Sequence, residues 1–553
     1  MKHTRVRRGR CAAHGAAFCV ALVGLLAGAP AFAQRDVSLT FAGSGVAELQ
    51  KDWPTALGRY RKLEKTQYVS AGKAVLVRIP GMSGRFDAAR IDALLAPGPS
   101  RLTITSPEIG RIVATGDRAR PSRLAPRLRI WQGKVTVGAG DDILDAPAIV
   151  AWDDRSLRID VDMPGRIIRV RTMAPDTFSL YTVDTRGLPP DHGRTAALTP
   201  NVKGIPGVPG GKGTPAKGAQ DGTSESGSRP AVTFNAAKPL LEPGRLTKNG
   251  KNVVLRTVFA FTREGAEEVR SEDPSQGLPG QASLDQLLIN YAEIQAAKVN
   301  AALAESGVDA ELQVVAVKAF ELNEPPGNNV SSAMNKLMPA SSTHAAGLHC
   351  WWGKAGKDSA APSQKPGPAN LLVLVGSFGG PAVAGAPVQG ICGMSWKPHG
   401  TFGTESQLAA SLDELEARDP ARGIPAGTGY YGYAVLKNAC VEQHFSLLHE
   451  LGHILGTDHQ REAGQDTAVN GGEPLVLNFV PQTKNFGFGF NNPSGTRVTV
   501  EVVGDELRAK RSPLYSSPLL APPGKWGSAT RDSVKLMNIV APVLGQRSPP
   551  MCR

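Results

Sequence analysis

Cysteine is scarce in this sequence, which has only 6 cysteines among 553 residues. No two of them stand at the C-x-x-C spacing, so the sequence gives no support to a zinc-thiolate site. After the N-terminal apolar run, no segment is long enough to form a membrane-spanning helix. We therefore expect neither a zinc-thiolate site nor a membrane span.

Basic residues are in excess, and the formal net charge is +13. They are scattered, as in the segment RARPSRLAPRLR at 118–129. Aromatic residues do not alternate with them, and no nucleic-acid-binding motif is present. We interpret these residues as a solvated surface and expect no nucleic-acid partner.

The first 33 residues are typical of a secretory signal peptide. A basic start is followed by the apolar stretch AAFCVALVGLLAGAP and by an A-x-A cleavage site that ends at Ala33. We expect cleavage before Gln34 and a secreted or periplasmic protein. Removal of the signal leaves a net charge of about +8 and four cysteines, which are Cys350, Cys392, Cys440 and Cys552.

Composition divides the exported chain into three parts. Residues 34–184 alternate short apolar stretches with glycine, proline and aspartate turns, which predicts a mostly β domain. Residues 185–231 are rich in glycine, proline and serine, and we expect a disordered linker there. Residues 232–553 contain strand and helix patterns, including a helix that is capped by Ser283 and stops at Gly307.

The most specific motif is H-E-x-x-H-x-x-G-x-x-H, which runs from His449 to His459. Residues four apart lie on one face of a helix, so His449 and His453 can bind the same metal ion. Gly456 permits a sharp turn with positive φ that brings His459 back as a third ligand. Three ligands leave room for a water, whose pKa zinc brings to about 7, and Glu450 can take its proton. The motif therefore predicts one catalytic zinc ion.

This motif resembles that of the metzincin metallopeptidases. The flanking segments resemble the bacterial reprolysin-like group, which includes the peptidyl-Asp metalloendopeptidases, over about residues 253–547. The resemblance implies an α/β fold, with a metzincin-type catalytic domain in which the zinc helix crosses a mixed sheet, preceded by the mostly β N-terminal domain. It also implies a disulfide between Cys392 and Cys440, which leaves Cys350 and Cys552 for each other.

Two positions depart from the metzincin pattern. Metzincins place a methionine in a turn beneath the zinc, whereas the resemblance aligns Glu501 or Val502 with that position, and Met537 falls in the final helix. The second departure is Gln460, where the group usually has aspartate. We expect zinc binding to survive, because the turn methionine packs beneath the ligands and does not coordinate the metal.

The resemblance implies a zinc endopeptidase that hydrolyses protein or peptide substrates. From the signal peptide we expect it to be exported, and we expect a monomer. The order of elements in the family places the segment GYYGYAVL (429–436) as an edge strand along which a substrate lies. The alternative is a secreted binding protein on a metallopeptidase fold with weak or no activity. A structural calcium ion has no support, because Asp141, Asp142 and Asp145 lack the spacing of a calcium loop.

The domain at 34–184 occupies the position of a prosegment in such peptidases. No cysteine lies between Gln34 and His349, which excludes inhibition by a cysteine switch. One hypothesis is a zymogen in which proteolysis of the linker releases this domain and raises the activity. The alternative is a permanent accessory domain.

Overall fold

The computed structural model describes residues 35–184 and 253–546, each part with gaps. The gaps of ten or more residues are 273–282, 335–345, 359–368, 379–391, 409–431 and 461–474. The expected signal peptide at 1–33 and linker at 185–231 lie outside the described residues. None of the described helices combines the length and the apolar composition that crossing a membrane requires.

Eleven strands of the N-terminal part form a single sheet. They are β1 (Arg35–Thr40), β2 (Ala42–Gly43), β3 (Val75–Arg78), β4 (Ser100–Ser106), β5 (Gly110–Gly116), β6 (Arg120–Pro121), β7 (Arg129–Val137), β8 (Leu144–Trp152), β9 (Leu157–Met163), β10 (Arg166–Ala174) and β11 (Thr177–Asp184). The order is β1-β4-β5-β7-β8-β9-β10-β11-β3-β2, with β6 paired to β7, and only β1 and β4 are parallel. Phe41 alone separates β1 from β2, which lie at opposite ends of this order, so the sheet nearly closes on itself.

Alternating apolar residues fill the inside of this first sheet. In β4 every second residue is buried, which is the period expected when one face of a strand contacts a core. The fully buried aromatic residues of this core include Trp131, Trp152 and Phe178. Among the described residues, the helices α1 (Pro54–Glu64) and α2 (Ala89–Asp92) accompany the sheet, and a 3-10 turn follows at Ala93–Leu95.

A second sheet of five strands lies in the C-terminal part. Its strands are β12 (Val253–Phe261), β13 (Ala310–Ala319), β14 (Leu371–Gly376), β15 (Gly393–Ser395) and β17 (Tyr433–Lys437). The order is β13-β12-β14-β17-β15, in which β15 is antiparallel to β17 and the other neighbours are parallel. All six residues of β14 are buried, because core clusters cover both faces of the sheet.

The described residues of the C-terminal part also form helices and three small two-stranded sheets. The helices are α3 (Arg263–Glu272), α4 (Leu284–Ser306), α5 (Ala346–Asp358), α6 (Asn438–Gln443), α7 (Ser446–Ile454) and α8 (Ser533–Gly545). The strand pairs are β16 (Gly400–Phe402) with β19 (Leu475–Leu477), β18 (Asp458–Gln460) with β20 (Phe488–Gly489), and β21 (Arg497–Val498) with β22 (Lys510–Arg511).

The predicted α/β class is wrong for this chain. The described residues are mostly β, with few helices, and the nearly closed first sheet is the largest element, so the chain is not the metzincin-type α/β fold that the resemblance implied. Local signals did predict single elements: the Ser283 side chain accepts a hydrogen bond from Gln286 N, and Gly307 has a φ of 83° at the end of α4. Periodicity does not encode how many strands join one sheet, because that depends on long-range pairing.

The predicted edge strand is also wrong. The segment 429–436 overlaps β17, which pairs with β14 on one side and with β15 on the other. β15 is the last strand in the order of the second sheet. Among the described residues, β15 is therefore the edge on this side of the sheet.

The Cys392–Cys440 disulfide that the resemblance implied is present in the structure. Cys392 directly precedes β15, and Cys440 belongs to α6, which leads into α7. The disulfide therefore fastens the edge strand to the chain that enters α7. Cys552 lies outside the described residues, so its pairing with Cys350 stays a prediction.

Helix α4 connects the two large sheets. One side of the helix packs in the core of the second sheet, and Ala297 and Ala301 on another side contact Ile149 of β8. Lys298 forms a 2.7 Å ion pair with Asp160 of β9. The N-terminal sheet is therefore packed directly against the C-terminal part, through both apolar and charged contacts.

Candidate metal centre

Helix α7 carries the first part of the histidine motif, and all of its residues are buried. The apolar residues of α7 that pack into the core are Leu447, Leu448, Leu451 and Ile454. His449 and His453 are one helical turn apart, so both project from the same side of α7. The apolar face thus fixes the helix against the second sheet and sets the direction of both histidines.

A tight turn after α7 brings His459 back towards the helix. Gly456 has a φ of 91°, a left-handed conformation that glycine adopts without strain. A Cβ atom at this position would lie 2.8 Å from the Leu475 side chain, so the surroundings also leave no space for one. The Gly456 N–H donates to the His453 carbonyl at 2.9 Å, and the chain then enters β18, which contains His459.

The three predicted histidines converge on one point. His453 Nε2 lies 3.0 Å from His449 Nε2 and 3.1 Å from His459 Nε2. All three side chains are buried, His453 being the most exposed at 7%. This group of three buried histidines could bind a metal ion.

Backbone carbonyls determine which nitrogens face the centre. His449 Nδ1 lies 2.9 Å from the Val500 carbonyl oxygen, and His453 Nδ1 lies 3.0 Å from that of Thr457. A carbonyl oxygen only accepts, so each Nδ1 must carry the hydrogen, and each neutral ring turns an Nε2 lone pair to the centre. Lone pairs that lie about 3 Å apart repel one another unless a cation sits between them.

Glu450, the predicted general base, lies against the edge strand β15. The Ser395 hydroxyl donates a hydrogen bond to Glu450 Oε2 at 2.7 Å. A Cβ atom on Gly393 would lie 2.7 Å from Glu450 Oε1, so β15 approaches this carboxylate closely. The carboxylate is buried and directed to β15, whereas the three histidines direct their Nε2 atoms at one another.

Glu501 lies on the Nδ1 side of the histidines. Its Oε2 atom is 3.6 Å from His449 Nδ1 and 3.8 Å from His453 Nδ1, and its Oε1 accepts a hydrogen bond from Thr457 Oγ1 at 3.0 Å. Val502 instead packs with Val498. Of the two residues that the resemblance aligned with methionine, Glu501 is therefore the one next to the histidines. In the sequence, Glu501 is marked only as a single acidic residue within the apolar stretch VTVEVV at 498–503.

Lys397 and Asp458 connect the segment after β15 to the third histidine. Lys397 Nζ forms a charged hydrogen bond with Asp458 Oδ2, and Asp458 Oδ1 accepts from the His459 N–H at 2.9 Å. Gln460, which departs from the metzincin pattern, is buried in β18 and pairs with Gly489. Sequence reasoning gave neither Lys397 nor Asp458 a role, because their contact depends on the fold.

Tyr515 is hydrogen-bonded to the backbone of α7. Its hydroxyl donates a hydrogen bond to the Leu448 carbonyl. Burial raises the pKa of Tyr515 well above its usual range, and the carboxylates of Glu501 and Glu450 add to this effect. The phenol therefore stays protonated and remains a donor at neutral pH.

Comparisons with known proteins assign no family to this chain. No family model matches the chain, and no curated protein matches it. Among solved structures, the chain is similar to one titled "Structure of a chaperone-substrate complex", with 14% sequence identity and a TM-score of 0.28. That match covers 54% of this chain and 35% of the other, so the chain spans about a third of that protein's length. A likeness at this TM-score carries no argument about fold or function.

Proposed function

We propose that this protein is an exported zinc-dependent endopeptidase that uses Glu450 as its general base. The observation that carries the proposal is the convergence of three buried Nε2 atoms, with the buried Glu450 directly after His449 in the chain. His449, His453 and His459 would hold the ion. The family resemblance of the motif stays a prediction and is consistent with this assignment.

The donor set fits zinc. Neutral imidazole nitrogens are common zinc ligands, with bonds of about 2.0–2.1 Å. Two such bonds at a tetrahedral angle separate the nitrogens by about 3.4 Å, close to the 3.0 and 3.1 Å between the Nε2 atoms. Zinc-bound histidines usually donate their other N–H to a carbonyl or carboxylate, and His449 and His453 both have a carbonyl partner.

Glu450 is suited to move the proton of an attacking water. Zinc, when bound, polarises the scissile carbonyl and makes water a better nucleophile at neutral pH. The Glu450 carboxylate accepts the proton from that water and then passes it to the departing amine. The hydrogen bond from Ser395 supports this role, because it holds the carboxylate on the side of β15.

The edge strand β15 supports a peptide as the substrate. An extended peptide can add to the edge of a sheet through main-chain hydrogen bonds. β15 ends the order of the second sheet, and its residues Gly393 and Ser395 both contact Glu450. A substrate strand beside β15 would therefore lie close to Glu450.

Export and domain organisation belong to the same proposal. The disulfide between Cys392 and Cys440 supports an exported protein, because disulfides persist in oxidising compartments. Of the two alternatives for residues 34–184, we favour a permanent accessory domain. The support is the packing of this domain on α4, since its loss would expose apolar residues such as Ala297 and leave Lys298 without Asp160.

Cleavage mapping with a mixed peptide library tests the proposed activity. The mature protein should cut internal peptide bonds, and a zinc chelator should stop the reaction. Glu450→Gln should keep the metal but lower turnover about a hundredfold or more. A folded, zinc-loaded protein that cuts no peptide would favour the alternative, a secreted binding protein.

A further inference from the structure

Glu501 is placed symmetrically behind the two histidines of α7. Its Oε2 atom lies 3.6 Å from His449 Nδ1 and 3.8 Å from His453 Nδ1, and the side chain is fully buried. Both Nδ1 atoms already donate to backbone carbonyls. The carboxylate therefore adds a charge at the rear of both rings, on the side away from the converging Nε2 atoms.

Thr457 and Gly452 provide the hydrogen bond and the space that this carboxylate requires. Thr457 Oγ1 donates to Glu501 Oε1 at 3.0 Å, which fixes one oxygen. A Cβ atom on Gly452 would lie only 1.6 Å from the same Oε1, so the carboxylate occupies space that only glycine leaves open. Gly452 is one of the variable positions of the motif, and its contact with Glu501 gives it a specific role here.

The same short segment supplies two contacts to the histidines. Val500 provides the carbonyl that accepts from His449, and Glu501 follows directly. Backbone hydrogen bonds hold this segment: Val500 N donates to the Leu514 carbonyl, and Val502 N donates to that of Thr499. The position of the Glu501 carboxylate is thus determined by fixed backbone, as well as by Thr457.

A buried carboxylate is strongly unfavourable unless an opposite charge lies close to it. A divalent cation at the three Nε2 atoms would supply that charge, only one imidazole ring away from Glu501. At 3.6 and 3.8 Å from the two Nδ1 atoms, the carboxylate acts on the rings through its charge, because both N–H groups donate to backbone carbonyls. A methionine at this position would fill space but would supply no charge.

We propose that Glu501 is a positioning residue that acts through the two imidazoles of α7 and strengthens the binding of a divalent metal ion by its negative charge. This inference rests on the metal binding in the proposed function. From the sequence we expected only that zinc binding survives without the turn methionine. The proposed role makes Glu501 itself a contributor to that binding. Its direct consequence is a change in metal affinity, which can be measured without any assay of activity.

Zinc affinity of the full mature chain, measured by competition with a chromophoric chelator, tests the inference. Glu501→Gln keeps the shape and removes the charge, and we expect it to bind zinc about 10–100-fold more weakly than the parent. Glu501→Met should also weaken binding by at least tenfold. The matched control is Glu311→Gln on β13, which removes a half-buried carboxylate elsewhere and should leave the affinity unchanged.

Affinities of both Glu501 variants within about twofold of the parent would overturn the inference while leaving the proposed function intact. A parent that binds no zinc would overturn both. If neither Glu501 variant folds, Thr457→Val decides the question, because it removes the hydrogen bond to Glu501 Oε1 and keeps the carboxylate. A severalfold loss of zinc affinity in Thr457→Val supports the inference, and an unchanged affinity overturns it.

Discussion

Lys298 of α4 and Asp160 of β9 form an ion pair of 2.7 Å across the boundary between the two large sheets. The Asp160 carboxylate is fully buried, and burial alone would raise its pKa. The charges of Arg171, Lys298, Arg158 and Arg169 outweigh that effect and hold the pKa of Asp160 well below its usual range. Asp160 is therefore ionised at neutral pH, and Lys298 is its cationic partner from the C-terminal part of the chain.

We expect Lys298→Ala to lower the free energy of unfolding by about 1–3 kcal/mol. The variant leaves a buried carboxylate with its arginine partners but without the lysine of α4. Urea unfolding at pH 7 measures the change, and Lys354→Ala serves as the control because Lys354 is exposed on α5. The control should change the free energy by less than about 0.5 kcal/mol. Equal effects of the two substitutions would show that the ion pair does not stabilise the protein.

Glu305 at the end of α4 should make stability depend on pH. Burial raises its pKa to about 7, although Lys134 opposes the shift. A raised folded-state pKa means that the folded protein holds the proton more tightly than the unfolded chain. This contribution to stability is therefore complete below the unfolded pKa and is lost as the pH rises through about 7.

Glu305→Gln should accordingly raise the free energy of unfolding at pH 8 by on the order of 1 kcal/mol. At pH 4 the substitution should have little effect, because the parent side chain is then protonated in the folded state. Urea unfolding of parent and variant at both pH values tests this difference. A gain of the same size at pH 4 and pH 8 would rule out titration of Glu305 as the cause.

Limited trypsin digestion distinguishes an accessory domain from a removable prosegment. The predicted linker at 185–231 contains trypsin sites such as Lys212 and Lys217, and we expect the first cuts there. The two fragments should elute together in gel filtration, because the first sheet packs on α4. Cleavage activity should change little. Separation of the fragments, with higher activity in the C-terminal one, would instead establish the zymogen hypothesis.

The histidine site was predictable because its information is local. His449, Glu450, His453 and His459 lie within eleven consecutive residues, and helical spacing with one glycine turn determines how they meet. Glu501 lies 42 residues beyond His459, and its approach depends on how β18, β20 and β21 pack. The sequence could therefore indicate that Glu501 or Val502 replaces the methionine, but not that a carboxylate would face the two Nδ1 atoms.

The fold was predictable only where signals are local. Ser283 and Gly307 marked the two ends of α4 correctly, because capping involves residues within one turn. In β9 the alternation places Ile159 and Val161 inside the first sheet, and the same alternation would put Asp160 in solvent. Lys298, which lies far along the chain, covers Asp160 instead. Long-range contacts of this kind also determined the mostly β class, which the motif had led us to predict as α/β.

The zinc content of the purified mature protein tests the central claim most directly. Elemental analysis after dialysis should find about one zinc ion per chain. Alanine substitution of His449, His453 or His459 should each reduce this content sharply, whereas His349→Ala, on α5, should retain it. A folded parent protein without zinc, or a full zinc content in His459→Ala, would contradict the account.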